Sequence, residues 1–454
     1  METRENKMGV LPEGRLLAGM AIPMMISMLL QAFYNVVDSY FVSRISQDAF
    51  NALSLAFPLQ SLMIGLGAGT GLGVNALISR ALGEKRQDAA DRVANTAIVL
   101  FALCAALFAL IGFTCSGAFF RTQTDVAAIV EAGTVYCTIC LGFSFGIFYQ
   151  FCFERFLQAT GRTTLSMVTQ IAGALINLIL DPILIFGLLG FPAMGVKGAA
   201  VATVLGQIVA ACLGLVINLK KNPDIHLRPA EMRWRGDVFR EVYAIGFPSI
   251  LMQCVGSLLV FGMNQILLTF STVATAVYGA YFKLQSFIFM PVFGLNNGMV
   301  PIIAYNYGAR RPDRVRKTIR LSIYAAVGIM LVGVFLFECF PAQLLRIFDA
   351  DAAMLRDGVP AFRIIATSYL FAGFCIIAGS VFQAIGNPMH SLIVSICRQM
   401  VVLLPAAYLL SLTRRLELVW LSYPIAEVMS LTISIVFLRK TLRAMHEQFE
   451  DSPL

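Results

Sequence analysis

The sequence predicts an all-α integral membrane protein of twelve transmembrane helices, built as two parallel six-helix repeats, and three observations lead there. Of its 454 residues, 58% are hydrophobic and only 13% charged, against roughly a quarter charged in soluble domains, and mean hydropathy is +0.78. Apolar stretches long enough to cross roughly 30 Å of hydrocarbon as helices recur about twelve times. The second half of the chain overlays the first at one constant offset.

The stretches lie near 15–43, 52–80, 93–120, 127–152, 164–189 and 194–219, then 241–270, 274–305, 318–345, 359–383, 389–412 and 416–438. The opening "METRENKMGVLPEGR" is charged, and the apolar run after it is far longer than a signal-peptide core, so that run reads as a retained helix. Loops on the side of the N-terminus carry 24 of the 34 Lys and Arg; the other side carries eight, and Lys283 and Arg398 fall within spans. Basic residues stay in short cytoplasmic loops, so both termini are expected in the cytoplasm of a bacterium, with the chain in its inner membrane. Topology thereby explains the net charge of +8, and no nucleic-acid partner is expected.

Ten cysteines sit singly in apolar runs, and even the pair in "CTIC", Cys137 and Cys140, has no second pair at zinc-ligand spacing. His226, His390 and His446 are scattered. Neither pattern supports a metal-dependent membrane protease, and no resident cofactor is expected beyond a coupling ion.

Shifting by 225 residues sets Pro23 on Pro248, Leu59-Gln60-Ser61 on Leu284-Gln285-Ser286, Gly69 on Gly294 and Gly73 on Gly298. The same shift sets Gly83 on Gly308, Arg86 on Arg311, Asp88 on Asp313, Gln158-Ala159 on Gln383-Ala384 and Gly161 on Gly386. Six is even, so both copies enter from the same side and the repeat is parallel. An N-terminal lobe over 1–218 and a C-terminal lobe over 238–454 are expected around a central cavity, joined by the polar cytoplasmic linker 219–237. One chain supplies both lobes, which points to a monomer. Pro23 and Pro248 favour bends. The alternate glycines Gly65, Gly67, Gly69, Gly71 and Gly73 suit close helix contact or flexibility, and no GK[ST] follows to make them a phosphate loop.

Ionisable residues within spans are the functional candidates, because each must be paired, solvated or neutralised. Asp38 lies about five residues from the outer end of helix one and Asp181 about eight from that of helix five, which is a similar depth at 1.5 Å per residue. Tyr34 and Asn177 each precede an acid by four residues and share its helix face. Thr203, about nine residues into helix six, reaches the same level. At the offset of 225, Asp38 meets Met263 and Asp181 meets Ala406, so the acids belong to one lobe. That asymmetry suits a site for a proton or cation, with sodium possible at Asp38, Asn177, Asp181 and Thr203. Plainer readings stand beside it: Asp38 paired with Arg44, and Asp181 as a helix-end residue facing interfacial water before Pro182. Glu154 and Arg155 are expected as a surface pair. Lys283, Glu338, Arg398 and Glu427 form a buried polar set in the C-terminal lobe, either ion-paired or lining the cavity.

The repeat, with "YNVVDSYFVSRIS", "LQATGRT", "INLILDPILIFG" and the stretch Ala280 to Ala309, resembles the multidrug and toxic compound extrusion (MATE) transporters over essentially the whole chain. The resemblance implies a secondary antiporter that exports hydrophobic cationic or amphipathic drugs in exchange for protons or sodium ions by rocking of two lobes. It implies an N-lobe cation site at Tyr34, Asp38, Asn177, Asp181 and Thr203. Gly256 and Ala372 stand where the sodium-coupled branch carries a glutamate and an aspartate, so the sequence is more similar to the DinF-like branch. Proton or sodium coupling stays open. The alternative within transport is a flippase for a lipid-linked precursor; an enzyme is not expected, since no polar cluster or cytosolic catalytic domain is present.

Overall fold

The computed structural model describes residues 6–450, and among them every regular element is a helix. Backbone amides have no water to bond within hydrocarbon, and a helix satisfies them within one segment. The spans are α1 (Glu13–Ser43), α2 (Gln47–Gly83), α3 (Gln87–Gln123), α4 (Ala127–Gly142 and Phe145–Ala159), α5 (Thr163–Phe186) and α6 (Val196–Lys221). They continue with α7 (Gly236–Leu268), α8 (Thr272–Gly308), α9 (Pro312–Cys339), α10 (Ala352–Ala366 and Tyr369–Ile385), α11 (Pro388–Ser411) and α12 (Ser422–Glu450). Several helices outrun their apolar stretches because polar first turns extend them; Ser46, for example, caps α2 by accepting from the Ala49 amide at 3.0 Å.

Two spans that read as continuous are broken. The segments of α4 meet at 42° and those of α10 at 50°. Both breaks fall at hydroxyl residues whose side chains bond to backbone carbonyls and so compete with the helix ladder. At the first, Ser144 donates to the Ala105 carbonyl of α3 at 3.2 Å. At the second, Thr367 and Ser368 donate back to Ile364 and Ile365, each at 2.6 Å. The ninth stretch also divides, since α9 stops at Cys339 and a separate short helix, Pro341–Arg346, starts on its proline.

The chain sorts into two compact units. One holds Ile26–Phe247 with Asn6 and Lys7; the other holds Met8–Met25 and Pro248 onwards. Helices α1 and α7 run unbroken through Pro23 and Pro248, and each changes unit within three residues of its proline. The stretch 219–237, expected as the boundary, lies inside the first unit. There Asp91 of α3 accepts from the His226 amide at 2.9 Å and faces its Nδ1 at 3.0 Å. Asn95 donates to the His226 carbonyl at 2.9 Å and accepts from the Arg228 amide at 2.8 Å, so two α3 side chains hold the segment down.

Glycine sets the backbone contacts in both units, which is the close-contact reading of the alternate glycines. In the first unit a Cβ on Gly73 would collide with the Val242 carbonyl of α7, and one on Gly246 would lie 2.6 Å from the Gly69 carbonyl. In the second unit the repeat-related Gly294 and Gly298 press in the same way on Met25 and Ala21 of α1. Gly73→Ala should therefore lower stability by about 1–3 kcal/mol, read as a fall in thermal midpoint in detergent. Gly328→Ala, where a Cβ meets nothing within 4 Å, should show no fall.

Candidate functional site

Helix α5 reverses the pattern of a soluble amphipathic helix. As far as Asp181 its buried stripe is Thr163, Ser166, Thr169, Gly173, Asn177 and Asp181, with Leu184 and Ile185 buried in the last turn, while Val168, Leu175 and Ile179 are exposed. The spacing of three and four places the stripe on one face. That face meets α6 through small residues, as lipid-embedded helices do when their backbones touch. A Cβ on Gly206 would lie 2.6 Å from the Gly173 carbonyl and 3.1 Å from the Asn177 Cβ; one on Gly198 would lie 2.5 Å from the Leu184 carbonyl. Asn177 and Asp181 are thereby held against α6, and Asn177 donates to Thr203 Oγ1 at 3.1 Å while Thr203 donates to the Ala199 carbonyl at 3.0 Å.

From α1, Asp38 and Tyr34 come to the same place. The carboxyl groups of Asp38 and Asp181 stand within hydrogen-bonding reach of each other, and the Tyr34 hydroxyl reaches Thr203. All five expected site residues are therefore brought together within the first unit. Asp181 is 0% exposed, which removes the helix-end reading. Arg44 donates to the Tyr40 hydroxyl at 3.2 and 2.8 Å, so it is engaged elsewhere than with Asp38. Apart from the acid pair itself, Asp38 Oδ1, both Asp181 oxygens and Asn177 Oδ1 have no hydrogen-bond partner among the described residues. Carboxylates only accept, so a bond between the two acids exists only while one holds a proton. The same oxygens could hold a sodium ion with Thr203, since hard cations take oxygen ligands. Acid pair, amide oxygen and hydroxyl together make a cluster of oxygens of the chemical kind that binds a proton or a small cation.

Sequence reasoning missed a neighbouring pair. Tyr136 of α4 is buried beside Asp38 and Tyr34, and its hydroxyl accepts from Gln60 of α2 at 3.1 Å. Gln60 falls in a motif that repeats as Gln285 in the second half, so its presence carried no signal of a role confined to one unit.

The MatE family model matches residues 23–183 and again 248–409, two stretches that begin 225 residues apart and together cover most of the chain. The chain belongs to the MatE family. The multidrug export protein MepA of Staphylococcus saprophyticus is 28% identical over 398 residues, covering 86% of each protein. A protein of Shewanella oneidensis named FAD transporter is 26% identical over 432 residues, 92% of each. Among solved structures, the outward-facing conformation of a multidrug resistance MATE family transporter of the MOP superfamily matches with a TM-score of 0.92 at 24% identity, over 98% of this chain and all of that one. That likeness extends the twelve-span MatE fold to the whole described chain.

Three expectations outside the acid pair need correction. Glu154 and Arg155 are buried, not a surface pair: Glu154 accepts from Gln150 at 2.9 Å and Gln170 at 2.8 Å, and Arg155 donates to Gln158 at 2.9 Å. These glutamines sit one turn away or on α5, where an apolar-run count assigns them no partner. Lys283 is exposed beside Phe282 on α8, its ammonium 5.9 Å from the Phe348 ring centroid, so its long stem carries the charge out of the interior. Glu338 is half-buried one residue before the end of α9, and Arg363 donates to its backbone carbonyl at 3.2 Å. Of that set, Arg398 and Glu427 do meet, at 3.1 Å.

Buried acid oxygens without donors are held at a cost of about 1–3 kcal/mol each. Asp181→Asn should therefore leave thermal stability unchanged or raise it, whereas Gly206→Val, which drives a side chain into the Gly173 backbone, should lower it. Paired melting curves in detergent check both.

Proposed function

We propose that this MatE-family protein is a secondary active antiporter that exports cationic and amphipathic organic compounds in exchange for protons or sodium ions, with Asp38 and Asp181 as the coupling site. The observation that carries the reading is the acid pair: two carboxyl groups from α1 and α5 face each other, each five residues before the end of its helix, with no basic partner among the described residues and with Asn177, Thr203 and Tyr34 around them. The name of the staphylococcal relative supports drugs as cargo. The name of the Shewanella relative extends the proposed cargo to amphipathic molecules that also carry negative groups.

A charged pair in apolar surroundings is repelled internally and poorly solvated. Entry of a proton or sodium ion relieves both penalties, and an ion bound more tightly in one conformation shifts the population toward it. In the proposed cycle the protein lies in a bacterial inner membrane with both termini cytoplasmic. The two lobes alternate access, the ion enters from outside, and cargo leaves as the ion is released inward.

The test is uptake of ethidium into liposomes holding the purified protein inside-out, with an acidic lumen and a sodium-loaded lumen imposed separately. Wild type should accumulate ethidium under at least one gradient. Asp38→Asn and Asp181→Asn should each reduce that uptake roughly tenfold or more, because a group that no longer binds the ion cannot bias the equilibrium. Wild-type uptake by both variants would defeat the coupling assignment, and no response of wild type to either gradient would favour flipping of a lipid-linked precursor instead.

A further inference from the structure

The second unit carries a charge arrangement of its own that the acid pair does not use. Arg398 lies midway along α11, within a seven-residue π-helical segment, Cys397–Leu403. Such segments are rare and disturb the regular ladder, which re-aims the side chains they carry. Arg398 Nη1 donates to Glu427 Oε2 of α12 at 3.1 Å, with Cys375 and Ser430 adjoining the pair. The two partners are unequally placed: the Glu427 side chain is 6% exposed and the Arg398 side chain 31%. At the repeat offset, Arg398 meets Gly173 and Glu427 meets Ala202, so the pair, like the acids of the first unit, has no counterpart.

Depth and exposure together restrict what Arg398 can face. Midway through a span, an arginine side chain that is a third open is costly against hydrocarbon, so we take its open part to face water rather than lipid. It offers five N–H donors in a planar fork that suits carboxylate or phosphate oxygens. Among the described residues, one bond to Glu427 engages that fork, and Glu427 Oε1 is buried without a partner. A purely structural pair would be expected to turn the fork inward and engage both carboxylate oxygens.

We propose that Arg398 is an anion-binding residue of the second unit, that it takes the carboxylate or phosphate group of an amphipathic molecule, and that Glu427 is an internal competitor which occupies the fork when no anion is bound. The site would let one protein accept molecules bearing a negative group as well as hydrophobic cations. That consequence rests on the export reading, but occupancy of the site is tested by binding alone.

The experiment is equilibrium binding of carboxyfluorescein, and in parallel of ethidium, to the full-length protein purified in detergent. Glu427→Gln removes the competitor and should bind carboxyfluorescein about tenfold tighter than wild type. The double variant Arg398→Gln/Glu427→Gln leaves no unpaired buried charge, so it should fold as wild type does, and it should bind carboxyfluorescein at least about a hundredfold more weakly than Glu427→Gln, which is about tenfold more weakly than wild type. Arg398→Lys keeps the charge without the fork and should fall between. Displacement of the dye by phosphatidylglycerol would assign the natural anion to a lipid headgroup; displacement by free amphipathic carboxylates alone would assign it to a solute. Equal carboxyfluorescein binding by wild type and the double variant, or weaker binding by Glu427→Gln, would overturn the proposal. Ethidium binding reports separately on the export reading: its absence from wild type would count against cation cargo while leaving the carboxyfluorescein comparison decisive for Arg398.

Discussion

Hydrocarbon cannot hydrogen-bond, and that constraint orders this structure. It forces every span into a helix that satisfies its own backbone. It also removes the usual incentive for helices to associate, since a lipid tail is as apolar as leucine. What remains to hold helices together is close packing, and close packing at backbone distance needs glycine. Gly73 against Val242, Gly206 against Gly173 and Gly298 against Ala21 are three instances in which a single added carbon would collide with main chain. The acid pair depends on this packing. Asp181 can stay buried with only Asp38 against it, and Asn177 with its side-chain oxygen unpaired, because the α5–α6 contact fixes the face on which they lie.

Most of the architecture could be read from the sequence because the hydrocarbon constraint writes itself into composition. Long apolar runs mark the spans, and a constant offset marks the duplication, which recurs as two family matches beginning 225 residues apart. The acid site was legible for a related reason: a carboxylate in such a run stands out, and its spacing of four from Tyr34 or Asn177 sets the shared face. The features that escaped notice depend on contacts between distant segments. The breaks in α4 and α10 rest on serine and threonine hydroxyls turning to carbonyls, and serine inside an apolar run is too common to signal a break. The segment 219–237 looks like a loose linker by composition, yet Asp91 and Asn95 of α3 pin it to the first unit. Glu154 reads as a surface residue because its position near a helix end suggests water, yet Gln150 and Gln170 provide donors inside the protein.

The duplication separates scaffold from chemistry. Among the residues that match at the offset of 225 are glycines that make backbone contacts or turns: Gly69 and Gly294, Gly73 and Gly298, Gly161 and Gly386, the last pair both at positive φ where a side chain would be strained. Each unit must pack its own helices, so each needs its own set. The charged sites do not match. Asp38 and Asp181 face Met263 and Ala406 at the offset, and Arg398 and Glu427 face Gly173 and Ala202. Gly173 makes the physical reason visible: it lies where α5 touches α6, and a side chain of any length there would separate the two helices that carry the acid site. At the related position in the second unit α11 is π-helical and carries an arginine. The packing that positions the acids in one unit therefore excludes the basic residue found in the other, so the same repeat supports two different charge arrangements.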